Sequence, residues 1–190
     1  GQCQPAESQA IQEQTLSIRE YRISDCPDID LSTVGTARCE NTEIEVIDPF
    51  ADYIEMMEGI FDFAKLKELL TSDFRFVFDA MNGVTGPYGK KIFEEILGAP
   101  AGSVINAVPL EDFGGLHPDP NLIYAKHLVD LMYSEAAPDF AAANDGDGDR
   151  NMILGSGFFV SPSDCLAVLT DNYKLIPAYT VSYTHLTLPT

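Results

Sequence analysis

Three aspartates at alternate positions, Asp145, Asp147 and Asp149, are spaced by Gly146 and Gly148 and followed at once by Arg150. Magnesium takes oxygen ligands in near-octahedral geometry, commonly a few carboxylates completed by phosphate or water. Carboxylates at i, i+2 and i+4 converge on one ion only if the backbone between them curls. The two glycines permit that curl, because glycine reaches positive φ without a Cβ clash. Arg150 adds a planar fork of donors suited to a pair of phosphate oxygens. A cation beside a phosphate-binding guanidinium is the equipment of phosphoryl transfer.

Other readings of the same hexapeptide compete. Asp and Gly favour solvated turns. Apolar runs at 140–143 and 152–154 flank the loop, however, so it hangs between two strands expected to be buried. An EF-hand loop begun at Asp145 requires Gly at its sixth position and Glu at its twelfth. Arg150 and Ser156 stand there, and that reading fails. A phosphatase using an aspartate nucleophile carries Asp-x-Asp at a strand end, which would make Asp145 the covalent nucleophile. A noncatalytic cation-binding module is the third alternative.

The elements that must position this loop are legible as a rhythm. Residues 43–47 alternate like a half-buried strand. Asp48-Pro49 opens a helix with Tyr53, Met56, Met57 and Ile60 on an expected core stripe, and a second helix follows through Phe63, Leu66, Leu69 and Leu70. Strand 74–78 precedes a strand-end loop containing Asp79 and Asn82, expected turn formers. Helix 88–97 stops at Gly98, with Lys90 and Lys91 on a solvated face, and strand 104–108 comes next. Helix 122–133 is expected to turn Leu122, Ala125, Val129 and Met132 inward and Lys126, His127 and Asp130 outward, with Asp119 and Pro120 as N-cap and N1. Strand 140–144 leads into the acidic loop. Ser161-Pro162-Ser163-Asp164 is a capping-box start for a last helix through Asp171. Residues 1–14 read as a loop, while 16–23 fit a helix end or a strand equally. Strands alternating with helices predict an α/β fold with an open mixed sheet and flanking helices. Ligands of such sheets sit beyond the carboxyl ends of strands, where the acidic loop falls.

The 190 residues are 45% hydrophobic and 22% charged, an ordinary globular composition. Thirty acidic against eleven basic side chains give a formal charge of −19. That field disfavours nucleic acid and anionic membrane as partners, and an anionic substrate then needs a metal or placed cations. No run is long enough to span a membrane. Cys3, Cys26, Cys39 and Cys165 show no Cys-x-x-Cys pair, and the expectation is reduced thiols in a cytoplasmic protein.

Several longer stretches then resemble one family. They are Pro-Leu-Glu-Asp-Phe-Gly-Gly at 109–115, His-Pro-Asp-Pro-Asn-Leu at 117–122, the run Asp-Gly-Asp-Gly-Asp-Arg-Asn-Met-Ile-Leu-Gly at 145–155, and Phe-Phe-Val-Ser-Pro-Ser-Asp at 158–164. In this order they are similar to the eukaryotic phosphoglucomutases of the phosphohexomutase superfamily, from the start of the chain to about Tyr179. The resemblance implies a four-domain enzyme, a monomer, that interconverts glucose 1-phosphate and glucose 6-phosphate. It implies a phosphoserine donor and glucose 1,6-bisphosphate as intermediate and activator. Asp145, Asp147 and Asp149 would be the Mg²⁺ ligands, a phosphoserine oxygen would complete the site, and Arg150 would contact phosphate.

The family's Thr-Ala-Ser-His serine loop and Gly-Glu-Glu-Ser sugar loop are not found, so no catalytic residue is assigned in this chain and turnover by it alone is not expected. The resemblance divides the chain into the end of the first family domain at 1–48, the second with its metal loop at 49–157, and the opening of the third at 158–179. Residues 180–190, uncharged and Thr-rich, are expected to be foreign or out-of-frame sequence. His117 reads either as a support behind the metal loop or as a loop-stabilising residue.

Overall fold

The apolar run after Asp73 forms the interior strand β3 (Phe76–Asp79), on which the surroundings of the acidic loop are built. The computed structural model describes residues 3–23 and 25–181; most of the suspected foreign tail, from 182 onward, lies outside them. Two compact units divide between Asp48 and Pro49.

In the second unit five strands hydrogen-bond in the order β4-β3-β5-β6-β7. Strand β3 pairs in parallel with β4 (Val104–Ile105) and with β5 (Phe140–Asn144). Strands β6 (Asn151–Gly155) and β7 (Phe158–Val160) add antiparallel. The sheet is therefore open and mixed, with flanking helices, as the sequence predicts.

Both faces are covered, which explains the near-continuous apolar character of its central strands. On one face Ala141, Ala143, Met152 and Leu154 pack with Met81, with Leu128 and Met132 of helix α5 (Lys126–Met132), and with Ala125 at its N-cap. The register pairs Ala141 with Leu154 and Ala143 with Met152, so small residues on β5 leave room for larger ones on β6. On the other face Leu70 of α3 (Phe63–Leu70) and Leu97 meet Phe76 and Phe93, while Phe78 packs with Ala80 and Val104. Ala142, between the two buried alanines, joins this second cluster. Period-two alternation thus sends β5 side chains to both layers.

Helix α2 spans Ala51–Ile60 and buries no residue, with Tyr53 40% and Met56 51% exposed. The expected core stripe is a half-exposed face; Tyr53 packs edge-on against Tyr88. Helix α4 (Thr85–Gly89) continues as a wider turn over Lys90–Ile96, where the Leu97 amide reaches back to the Ile92 carbonyl. Lys90 and Lys91 pair with Glu94 and Glu95 one turn on. Strand 104–108 shortens to β4, because Asn106 turns to φ 47°.

Helix α5 starts later than expected. Asn121, not Asp119, organises its approach by accepting the amides of Ile123 and Tyr124. Leu122 is 46% exposed, and Leu128 takes its expected place in the core. Helix α6 (Pro162–Asp171) begins as expected, with Ser161 accepting the Asp164 amide.

In the first unit residues 5–17 are helical rather than looped: α1 spans Pro5–Ser17, with Glu7 reaching back to the Gln4 amide. It buries nothing, which is why no periodic apolar signal betrays it. Strands β1 (Gly35–Cys39) and β2 (Thr42–Val46) form an antiparallel hairpin. Cys26 and Cys39, expected as free thiols, form a disulfide with Cα atoms 5.7 Å apart. They stand 13 positions apart in the chain, so no short-spacing motif announces the pair.

Candidate functional site

The acidic loop joins β5 to β6 at the carboxyl end of β5, beside the parallel strand β3. Gly148 adopts φ +82°, the conformation expected of a glycine here. Gly146 does not; it is required for space instead. A Cβ there would meet the Phe113 ring at 2.9 Å. The resulting curl gathers oxygens of Asp145, Asp147 and Asp149 within 4.8 Å of one another.

The three carboxylates are not equivalent. Asp145 is 1% exposed, whereas Asp147 and Asp149 face solvent. Burial alone pushes the Asp145 carboxyl up, but hydrogen bonds from the Arg150 amide and guanidinium outweigh it and hold the pKa below its ordinary value. The Arg150 amide donates to Asp145 Oδ1 at 3.0 Å and its Nε to Oδ2 at 2.8 Å. The charge of Asp147, with a hydrogen bond and charge from Asp145, raises the pKa of Asp149. A carboxylate trio that repels itself in this way is a good receptor for a hard dication, which removes the repulsion.

Arg150 was expected at phosphate, yet two of its nitrogens are already engaged. Nη1 donates to Asp119 Oδ1 at 2.9 Å while Nε holds Asp145. Asp119 therefore belongs to the site, which sequence reasoning had used as a helix cap. The signal was present in the His-Pro-Asp-Pro-Asn run but pointed to no partner.

A second turn abuts the loop. The Val84 amide donates to the Gly146 carbonyl at 3.0 Å, and a Cβ on Gly83 would stand 2.7 Å from that oxygen. The turn leading there holds Met81 at φ 48° and Asn82 at φ 55°, left-handed values that cost a non-glycine residue about 1–2 kcal/mol. Asn82 Nδ2 donates to the Val108 carbonyl, so it and Asp79 are turn formers as expected. His127, expected to face outward, instead bonds Asp79. His117 packs its ring on Tyr124, centroids 4.1 Å apart, in keeping with a loop-stabilising role.

Two open cavities flank the loop. One of about 760 Å³ is bordered by Asp119, Arg150 and Phe159, and one of about 430 Å³ by Tyr88, Thr85 and Asp147. Among the described residues no helix is long and apolar enough to cross a membrane.

The chain is similar to known proteins over most of its length. The family model for phosphoglucomutase/phosphomannomutase, alpha/beta/alpha domain II, matches residues 51–156, more than half the chain. The chloroplastic phosphoglucomutase 1 of Marchantia polymorpha is 58% identical over 166 residues, 87% of this chain and 26% of that protein. The cytoplasmic phosphoglucomutase of Populus tremula is 50% identical over 173 residues, 85% of this chain and 30% of that one. Among solved structures, the open form of the exocytosis-sensitive phosphoprotein parafusin of Paramecium, a phosphoglucomutase, superposes with a TM-score of 0.72 at 48% identity. That match covers 78% of this chain and 28% of parafusin. The chain thus spans a quarter to a third of the length of these relatives.

Proposed function

The chain belongs to the phosphoglucomutase/phosphomannomutase family, and we propose that it carries the Mg²⁺ loop of a phosphoglucomutase. The whole protein would interconvert glucose 1-phosphate and glucose 6-phosphate through a phosphoserine and enzyme-bound glucose 1,6-bisphosphate. The observation that carries this reading is the convergence of Asp145, Asp147 and Asp149 within 4.8 Å at the carboxyl end of a parallel strand. All-oxygen donors of net negative charge fit a hard dication. A bound Mg²⁺ would act as a Lewis acid on the phosphoryl group leaving serine.

The chain's own residues do the rest. Asp147 and Asp149 present carboxylates at the surface. Asp145 is fixed between strand and guanidinium. Arg150, spanning Asp145 and Asp119, holds its positive charge at the rim where a phosphate would enter. We propose phosphate contact through the part of its fork that these two aspartates leave over. The phosphatase alternative loses ground, because Asp145, its nucleophile, is buried with both oxygens engaged. The family domains would run over 1–48, 49–157 and 158–179. The relatives' names include chloroplastic and cytoplasmic forms, so a cytoplasmic setting and a monomeric state stay part of this proposal.

Calorimetric titration of Mg²⁺, with and without Asp147→Asn, tests the loop. A full-length protein carrying that substitution, assayed for glucose 1-phosphate conversion, tests the activity. We expect binding lost in the first and turnover reduced by roughly 10²-fold or more in the second. Unchanged turnover would overturn the reading.

A further inference from the structure

We propose that Asp79, clamped by His127 and Asn106, is a positioning residue for the acidic loop, setting the turn on which Gly146 is seated. The proposal rests on the reading of that loop as a cation site. Asp79 ends β3 and is wholly shielded from solvent. Its Oδ1 accepts the Met81 amide at 2.9 Å and Asn106 Nδ2 at 2.9 Å. Its Oδ2 accepts from His127 Nε2 at 2.5 Å. Donors thus arrive from the strand exit, from the loop after β4 and from α5. A carboxylate is tolerated out of water when donors meet it in this way.

The link from Asp79 to the loop runs through backbone. Holding the Met81 amide places Met81 and Asn82 in left-handed conformations. The Asn82 amide then donates to the Asn106 carbonyl at 2.9 Å, and the Gly83 amide to the Ala80 carbonyl at 2.8 Å. The turn so closed delivers the Val84 amide to the Gly146 carbonyl. Gly83 leaves no slack, since even a methyl group would collide with that oxygen. Gly146 lies between Asp145 and Asp147, so a turn that moves carries two of the three carboxylates with it. His127 supplies the adjustable part of the clamp: its side chain is 42% exposed, while the rest of α5 is anchored by Leu128 and Met132.

The test is hydrogen–deuterium exchange and Mn²⁺ titration of the full chain as wild type, His127→Leu and His127→Gln. His127→Leu removes the donor at a half-exposed position and leaves the core intact; His127→Gln restores an N–H. For the leucine variant we expect exchange over 80–84 and 145–149 to quicken roughly tenfold, with 63–70 unchanged. Mn²⁺ affinity should fall roughly tenfold, as for other groups that orient ligands from behind. The glutamine variant should recover both. Wild-type exchange in both segments of the leucine variant would overturn the proposal, and so would a uniform rise across the chain. Failure of the wild type to bind Mn²⁺ would refute the cation reading, while the exchange pattern would still decide the positioning role.

Discussion

At the scale of single residues, the acidic loop trades stability for charge density. Asp149 has a raised pKa because Asp147 and Asp145 crowd it. A carboxyl that holds its proton more tightly when folded costs stability once pH rises past its unfolded value. Asp149→Asn should therefore raise the melting temperature of the metal-free chain at neutral pH while abolishing Mg²⁺ binding, both readable by scanning calorimetry. Asp145 has the opposite sign. Its folded-state pKa is depressed, so its contribution is present above the unfolded value and lost as pH falls through the folded one, below about pH 4. Arg150→Met should flatten that acid limb in a melting series against pH. Gly148→Ala should cost about 1–2 kcal/mol in chemical denaturation, because φ +82° is unfavourable for alanine. Its Cβ would also press on Thr85, at 2.5 Å.

At the scale of elements, the site depends on where backbones touch. Gly83 brings the β3 exit against the acidic loop, and a side chain there would meet backbone that has little room to retreat. Gly83→Ala should destabilise by about 1–3 kcal/mol and weaken Mg²⁺ binding together, measured by denaturation and calorimetry. Helix α5 fixes the apolar side of the same turn through Leu128 and Met132, both fully buried. Leu128→Ala should cost about 2–5 kcal/mol. Helix α1, by contrast, buries nothing. Its amides should exchange near the free-peptide rate, which native-state exchange would report.

Across the whole molecule, a formal charge of −19 bathes the loop in negative potential. Cation affinity should accordingly fall as ionic strength rises from 0.01 to about 0.15 M, where screening shortens to roughly 8 Å. No Thr-Ala-Ser-His run occurs in the 190 residues, and this chain alone should show no glucose 1-phosphate conversion.

How far the sequence carried these conclusions follows from the range of each signal. The three aspartates, their glycines and the strands at 140–144 and 151–155 were legible because their patterns are local: alternation, turn chemistry and ligand spacing within one short run. The hairpin partner β1 and the exposed helix α1 were not, for neither carries an apolar period of its own. Asp119 was read as a cap and His127 as a surface residue because their partners stand 31 and 48 positions away. The sequence by itself determined which carboxylates would be gathered by one loop and on what kind of fold. Only the tertiary structure decided that Arg150 is already shared between two aspartates, that Cys26 and Cys39 pair, and that Asp79 lies at the root of the turn beneath the loop. Each depends on how separate segments come together in the fold, which no single short run of residues announces.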